Sequence, residues 1–169
     1  MRLEKLTTRF QQALAEAQSL AVGADNPYIE SQHLLSALLA SEDGFTVSLL
    51  SRAGVSVNAL REALRESINR LPKVEGHGGE VNLSRDLANL LNVTDKMAQK
   101  RGDQFIASEL FLLALVEDKG DAGKLFRGHG ADKKALEQAV EAIRGGEAVS
   151  SAEAEGQREA LSKYTLDLT

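Results

Sequence analysis

Displacing the first half of this 169-residue chain by 77 positions lays it on the second half. Phe10 meets Leu87, Leu14 meets Leu91 and Ala21 meets Ala98. Tyr28-Ile29 meets Phe105-Ile106, and Ser31 meets Ser108. Leu34, Leu35, Ala37, Leu38 and Leu39 meet Phe111, Leu112, Ala114, Leu115 and Val116. After a one-residue deletion the match continues at 76: Leu50 with Phe126, Gly54 with Gly130, Leu60 with Leu136 and Leu64 with Val140. Agreement along two runs of about 60 residues implies two copies of one supersecondary unit.

Each copy reads as four helices. Phe10, Ala13, Leu14, Ala17 and Ala21 keep the spacing of one helical face. Thr7 is placed to cap that helix and Gly23 to stop it. A loop with Asp25-Asn26-Pro27 follows, then a helix carrying Leu34, Leu35, Leu38 and Leu39. A short third helix covers about Thr46 to Arg52 and closes at Gly54. The fourth starts after Ser56, carries Leu60, Leu64, Ile68 and Leu71, and ends before Pro72. The second copy repeats the plan from Ser84 to about Arg144. No strand signal exceeds a few residues, and with two prolines and no tryptophan the composition favours helix. The expected fold is all-α: two pseudo-repeated four-helix units, about 3–71 and 83–145, packed into one globular domain over 1–145. Lys73–Glu80 reads as a flexible connection between the units, and 146–169 as a flexible linker.

Several function classes drop out. There is no cysteine, which removes disulfide scaffolds and thiolate sites. The longest unbroken apolar run, Leu110 to Val116, is too short for a bilayer, and MRLEKLTTRF carries no apolar signal core. The expectation is a soluble, cytoplasmic protein without a membrane partner. A net charge of −5 and the lack of a Lys/Arg stripe speak against nucleic acid. The small basic spot Lys96, Lys100, Arg101 reads as compensation of a helix C-terminus. No phosphate loop and no H-E-x-x-H motif is present. His33, His77 and His129 are scattered without ligand spacing, and His33 lacks a nucleophile partner. No catalytic role, metal or cofactor is expected of these residues.

What remains is apolar surface. On the helix from Ser84 to Lys100, Leu87, Leu91, Thr94 and Ala98 repeat the core face of the first copy. A second strip, Leu90, Val93 and Met97, stands where the first copy has Ala13, Glu16 and Leu20, and Leu110 stands where it has His33. Two readings stay open: the strip is buried at the joint between the units, or part of it is an exposed groove for another chain. Methionine and leucine would suit an unselective groove.

The segments RLEKLTTRFQQALAEAQSLA, IESQHLLSALL, DKMAQKRGDQFIASELFLLAL and the ending GGE…QREALSKYTLDLT resemble, over essentially all 169 residues, the N-terminal region of the ClpB family of disaggregases. KRGDQFIASEL and KYTLDLT are the specific parts; the doubled unit alone is shared with N-domains of ClpA and ClpC unfoldases. The resemblance implies a monomeric domain tethered by 146–169 to a first AAA+ module of a homohexameric ring. ATP and Mg would belong to those modules. It implies a role in engaging unfolded or aggregated polypeptide together with a DnaK-type chaperone system. The family's polar positions for substrate handling match Thr7, Asp103 and Glu109, and its groove falls near Val93, Met97 and Leu110, beside Leu90. In that picture Asp103 and Glu109 lie near the groove mouth and favour basic flanks on a client. Each polar residue also has a structural reading: Thr7 as a helix cap, Glu109 as an acid at a helix N-terminus, Asp103 as part of a turn beside Gly102. The competing function is that of an adaptor-docking N-domain of a Clp protease unfoldase.

Overall fold

The structure, a computed structural model, describes residues 3–41, 44–74, 81–145 and 148–153. The first unit holds α1 (Thr8–Gly23), α2 (Ser31–Leu38), α3 (Phe45–Arg52) and α4 (Val57–Asn69). The second holds α5 (Arg85–Arg101), α6 (Ser108–Leu115), α7 (Asp121–Gly128) and α8 (Lys133–Arg144). On α1 the buried residues are Phe10, Ala13, Leu14, Ala17 and Ala21, one face of a 3.6-residue repeat. Thr7 Oγ1 accepts the Phe10 N–H at 3.2 Å. The same device opens α5, where Ser84 Oγ accepts the Leu87 N–H at 3.1 Å. Two boundaries differ from expectation. Gly23 is the last residue of α1, and the left-handed residue that turns the chain is Asp25, at φ 57°. Leu71 lies beyond α4, which stops at Asn69.

The units are wound into each other. Every residue of α6 is buried, and on α2 all but Ser36 are. A helix buried on every side has to be surrounded, and the surrounding helices come from both units, α7 against α2 and Phe10 of α1 against Phe111 of α6. α3 packs on α8, and its repeat equivalent α7 packs on α4. Phe10 of α1 meets Phe111 of α6 with ring centroids 6.1 Å apart and planes tilted by 55°. One contiguous core results, running from Leu6 to Val140.

Short backbone pairings cross the same joint. β1 (Tyr28–Ile29) pairs in parallel with β2 (Asn82–Leu83), Ile29 opposite Leu83. Leu6 forms a parallel bridge with Ile106. Leu6 is the repeat equivalent of Leu83 and Ile29 that of Ile106, so each unit lends the other the same strand. Among the described residues no helix is long and apolar enough to cross a membrane.

The turns between third and fourth helices meet at the centre of this exchange. Gly54 and Gly130 take left-handed φ values of 88° and 100°. A Cβ on Gly130 would lie 2.8 Å from the Gly54 carbonyl oxygen, whereas a Cβ on Gly54 would meet nothing within 4 Å. Gly130→Ala therefore carries both left-handed strain and a backbone clash, and is expected to lose more than about 2 kcal/mol; Gly54→Ala carries the strain alone, about 1–2 kcal/mol. Urea unfolding of the two variants side by side checks the ranking.

Candidate functional site

The extra apolar strip of the second unit divides. Leu110 is fully buried and Leu90 nearly so, at 4% exposure. Leu110 occupies the core position that His33 fills in the first unit. Leu90 stands where Ala13 borders a hollow of about 250 Å³ between α1 and α2, so its larger side chain serves packing. Val93 is 46% exposed, and Met97 is half-buried against the core edge. For Leu90 and Leu110 the buried reading holds; only Val93 and Met97 present apolar surface to solvent.

The three polar positions are sealed. Thr7 is fully buried, capping α1, and its N–H donates to the Ile106 carbonyl at 3.0 Å. Asp103 and Glu109 converge on Arg144, the last residue of α8. Arg144 Nη1 donates to both Asp103 oxygens, at 3.0 and 2.8 Å, and Nε donates to Glu109 Oε1 at 2.9 Å. All three side chains are at most 2% exposed. Burial alone would push the Arg144 guanidinium down. The charge of Glu109 and the hydrogen bonds and charge of Asp103 outweigh it, and the pKa is raised. Asp103 and Glu109, which the resemblance places near a groove mouth, thus have their charge answered inside the protein.

The first unit shows what this triad replaces. Asn26 is the equivalent of Asp103, Gln32 of Glu109 and Ile68 of Arg144. There the network is neutral: His33 Nε2 and Asn26 Oδ1 are 2.9 Å apart, and Asn26 Nδ2 donates to the Pro72 carbonyl at 3.1 Å. The Glu30 N–H donates to His33 Nδ1 at 2.9 Å, which fixes the proton on Nε2. Burial lowers the His33 pKa to about 4. Among the described residues no group of three His, Cys, Asp or Glu side chains has metal-holding geometry; His77 lies outside them.

Two features escaped the sequence reading. An apolar groove of about 360 Å³ runs between α1 and the β1–β2 pair, lined by Leu3, Leu6, Leu14, Ile29, Val81 and Leu83. Of its residues only Leu14 reads from the sequence as part of a core face, and nothing in the spacing of the others marks a groove wall. The second feature is a strap. Gly145, in the left-handed conformation at φ 58°, ends α8, and residues 148–153 run back over the domain. Val149 is fully buried. Its carbonyl accepts from the Gln104 N–H at 2.7 Å, and its N–H donates to Asp103 Oδ1 at 2.9 Å. Farther along, the Thr8 N–H donates to the Ala152 carbonyl at 2.9 Å, and Thr8 Oγ1 donates to Glu153 Oε1 at 2.9 Å. One buried valine contributes about 1.5–3 kcal/mol and the four hydrogen bonds just named about 0.5–1.5 kcal/mol each, against about 1 kcal/mol or more for ordering each of the strap residues. The strap is held near balance.

The polar networks generate two predictions. Arg144→Met strands two buried carboxylates and is expected to cost about 3–5 kcal/mol in denaturant unfolding; a loss under about 1 kcal/mol would show that the triad does not secure this corner. For His33, the unfolded chain binds its proton near pH 6.5 and the folded chain only near pH 4. The associated stability is complete above pH 6.5. It is lost as pH falls toward 4, at up to about 1.4 kcal/mol per unit. Unfolding free energies measured between pH 7 and pH 4 should show that slope. His33→Leu should flatten it while lowering the whole curve, because Asn26 Oδ1 and the Glu30 N–H lose their partner.

Comparisons with known proteins agree with this architecture. The family model of the Clp repeat N-terminal domain matches residues 5–129. The chaperone protein ClpB of Pseudomonas putida is 50% identical over 169 residues, 100% of this chain and 20% of that protein. ClpB of Vibrio cholerae is 48% identical over the same share of both. The chain thus spans about a fifth of the length of these curated relatives. Among solved structures, the Hsp104 N-terminal domain from Candida albicans superposes with a TM-score of 0.78 at 21% identity, covering 89% of this chain and 98% of that one. The N-domain of ClpV, in a complex with a VipB peptide, superposes at 0.69 and 21% identity, covering 88% and 92%. At these identities the superpositions carry the fold. With the family model covering most of its length, the chain belongs to the Clp repeat N-terminal domain family.

Proposed function

We propose that this domain holds exposed apolar segments of unfolded or aggregated polypeptide, weakly and without sequence preference, on behalf of an ATP-driven disaggregase of the ClpB type. The observation that carries the reading is Val93. It stands in solvent at 46% exposure, where the fold's own repeat places Glu16. The fold does not require an apolar residue there, and Met97 one turn along widens the patch. Leu90 and Leu110 are buried and offer it no further exposed surface. Thr7, Asp103 and Glu109 act as positioning residues: Thr7 fixes the start of α1, and the two carboxylates hold the α5–α6 loop to α8 through Arg144.

No bond is made or broken in such a role. A misfolded chain exposes apolar side chains, and one of them covers Val93 and the free part of Met97. The small area keeps the contact weak, which suits a surface that must hand its cargo on. In a homohexameric parent, six tethered copies would raise the effective concentration and offset the weakness of each contact. A DnaK-type partner would act through the parent rather than through this surface. Identity of about 50% to ClpB chains over the full length and the peptide complex of a ClpV N-domain support this reading.

Titrating the protein with a permanently unfolded, non-cognate polypeptide and following amide shifts checks it. Fast-exchange shifts centred on Val93 and Met97 are expected. Val93→Glu, which copies the first unit, should weaken binding by about tenfold while changing stability by under about 0.5 kcal/mol. An absence of shifts at high client concentration would leave docking of a specific adaptor as the better function.

A further inference from the structure

We propose that residues 148–153 occupy, in cis, an acceptor site for a polypeptide segment, built from the 103–105 loop and the first turn of α1. This rests on the polypeptide-binding reading above and assigns it a second site.

The strap is the occupant that shows the chemistry of the site. Its hold is mostly backbone. The Gln104 and Phe105 N–H groups donate to the Val149 carbonyl, at 2.7 and 3.4 Å, and the Thr8 N–H donates to the Ala152 carbonyl at 2.9 Å. Asp103, already fixed by Arg144, accepts the Val149 N–H. Any chain that follows the same path, open through 148–150 and turning at 151–153, offers the same carbonyls and N–H groups. Side chains add two elements: an aliphatic residue in the niche that buries Val149 completely, and a carboxylate four positions later at Thr8. That carboxylate lies at the N-terminus of α1, where negative charge is favoured. The site therefore favours a segment that turns shortly after a small aliphatic residue and carries an acid four residues on.

In the first unit the chain leaving α4 is described as far as Val74, whose N–H donates to the Asp25 carbonyl at 2.8 Å and which is 46% exposed. When the strap leaves, the donors it frees lie at the surface end of α1 and on a loop, and a client segment can take its place. A strap that is docked about nine-tenths of the time lowers apparent client affinity at this site about tenfold.

The test uses Val149→Ser/Glu153→Gln in the 169-residue chain, with the same unfolded polypeptide as probe. Hydrogen exchange at the Thr8 and Gln104 amides reports release of the strap. In the double variant these amides should lose protection. Added probe should then shift Thr8, Gln104 and Phe105 and bind about three- to tenfold more tightly, while the response of Val93 and Met97 stays as in the unaltered protein. Glu153→Gln alone, which leaves the core untouched, should move both readouts in the same direction by less. Release without new shifts or tighter binding would overturn the proposal. So would undiminished protection of Thr8 and Gln104, since the strap would then be a fixed part of the fold. Failure of the Val93 surface would appear separately, as absent shifts at Val93 and Met97 in the unaltered protein.

Discussion

A helix with no exposed face cannot lie on a surface, and α6 is such a helix: Ser108 to Leu115 is buried at every position. Eight residues with that property need neighbours on all sides. α5, α7 and α8 of its own unit supply most of them, and Phe10 of α1 comes from the other unit. Further contacts join the two units. α3 reaches α8 and α7 reaches α4. The two loops that precede the central helices approach the opposite unit closely enough to share backbone bonds, Ile29 with Leu83 and Ile106 with Leu6. The third-to-fourth-helix turns approach until only glycine fits at 130. Duplication here makes one object from two halves rather than two domains in series.

Because the halves answer the same packing problem, each is a control for the other. Where they agree, the residue serves the fold, as with Thr7 and Ser84, which cap equivalent helices by equivalent bonds. Where they differ, the fold permits a choice. The loop ahead of α2 is tied by neutral groups, Asn26, His33 and the Pro72 carbonyl; the loop ahead of α6 is tied by two carboxylates and a guanidinium. Ionic and neutral solutions to one geometric task need not differ in net stability, because desolvation opposes attraction in the buried triad. They differ in what they expose at the edge. Asp103 keeps an oxygen for the Val149 N–H, whereas the neutral version directs its amide inward to Pro72.

The repeat, the helix faces and the Thr7 cap were legible because each leaves a local or periodic trace. The burial of Leu90 and Leu110 against the exposure of Val93 was not. All four residues of the strip share one apolar character, and which side of a helix is covered depends on the neighbours α1, α6 and α8. The triad was legible in principle. Asn26, Gln32 and Ile68 become Asp103, Glu109 and Arg144, so two neutral positions turn acidic just as an apolar one turns basic. Compensating charge changes between repeats are a contact signal that hydrophobic periodicity alone does not register. The strap left no such trace, since Ala148 to Glu153 has the composition of a linker and is ordered chiefly by backbone bonds.

In the proposed role, weak client binding follows from how little apolar surface the α5 strip leaves exposed. Covering one half-exposed valine and part of a methionine yields only a few kcal/mol at about 25 cal/mol/Å², and association alone costs about as much or more. A single surface of this size therefore captures a chain only transiently. On the proposal for the strap site, backbone pairing would add contacts less dependent on a client's sequence, with the Val149 niche and Thr8 favouring an aliphatic residue and an acid. A loose apolar patch and such a site would answer the same requirement from two sides: each would take many non-native chains and hold none for long.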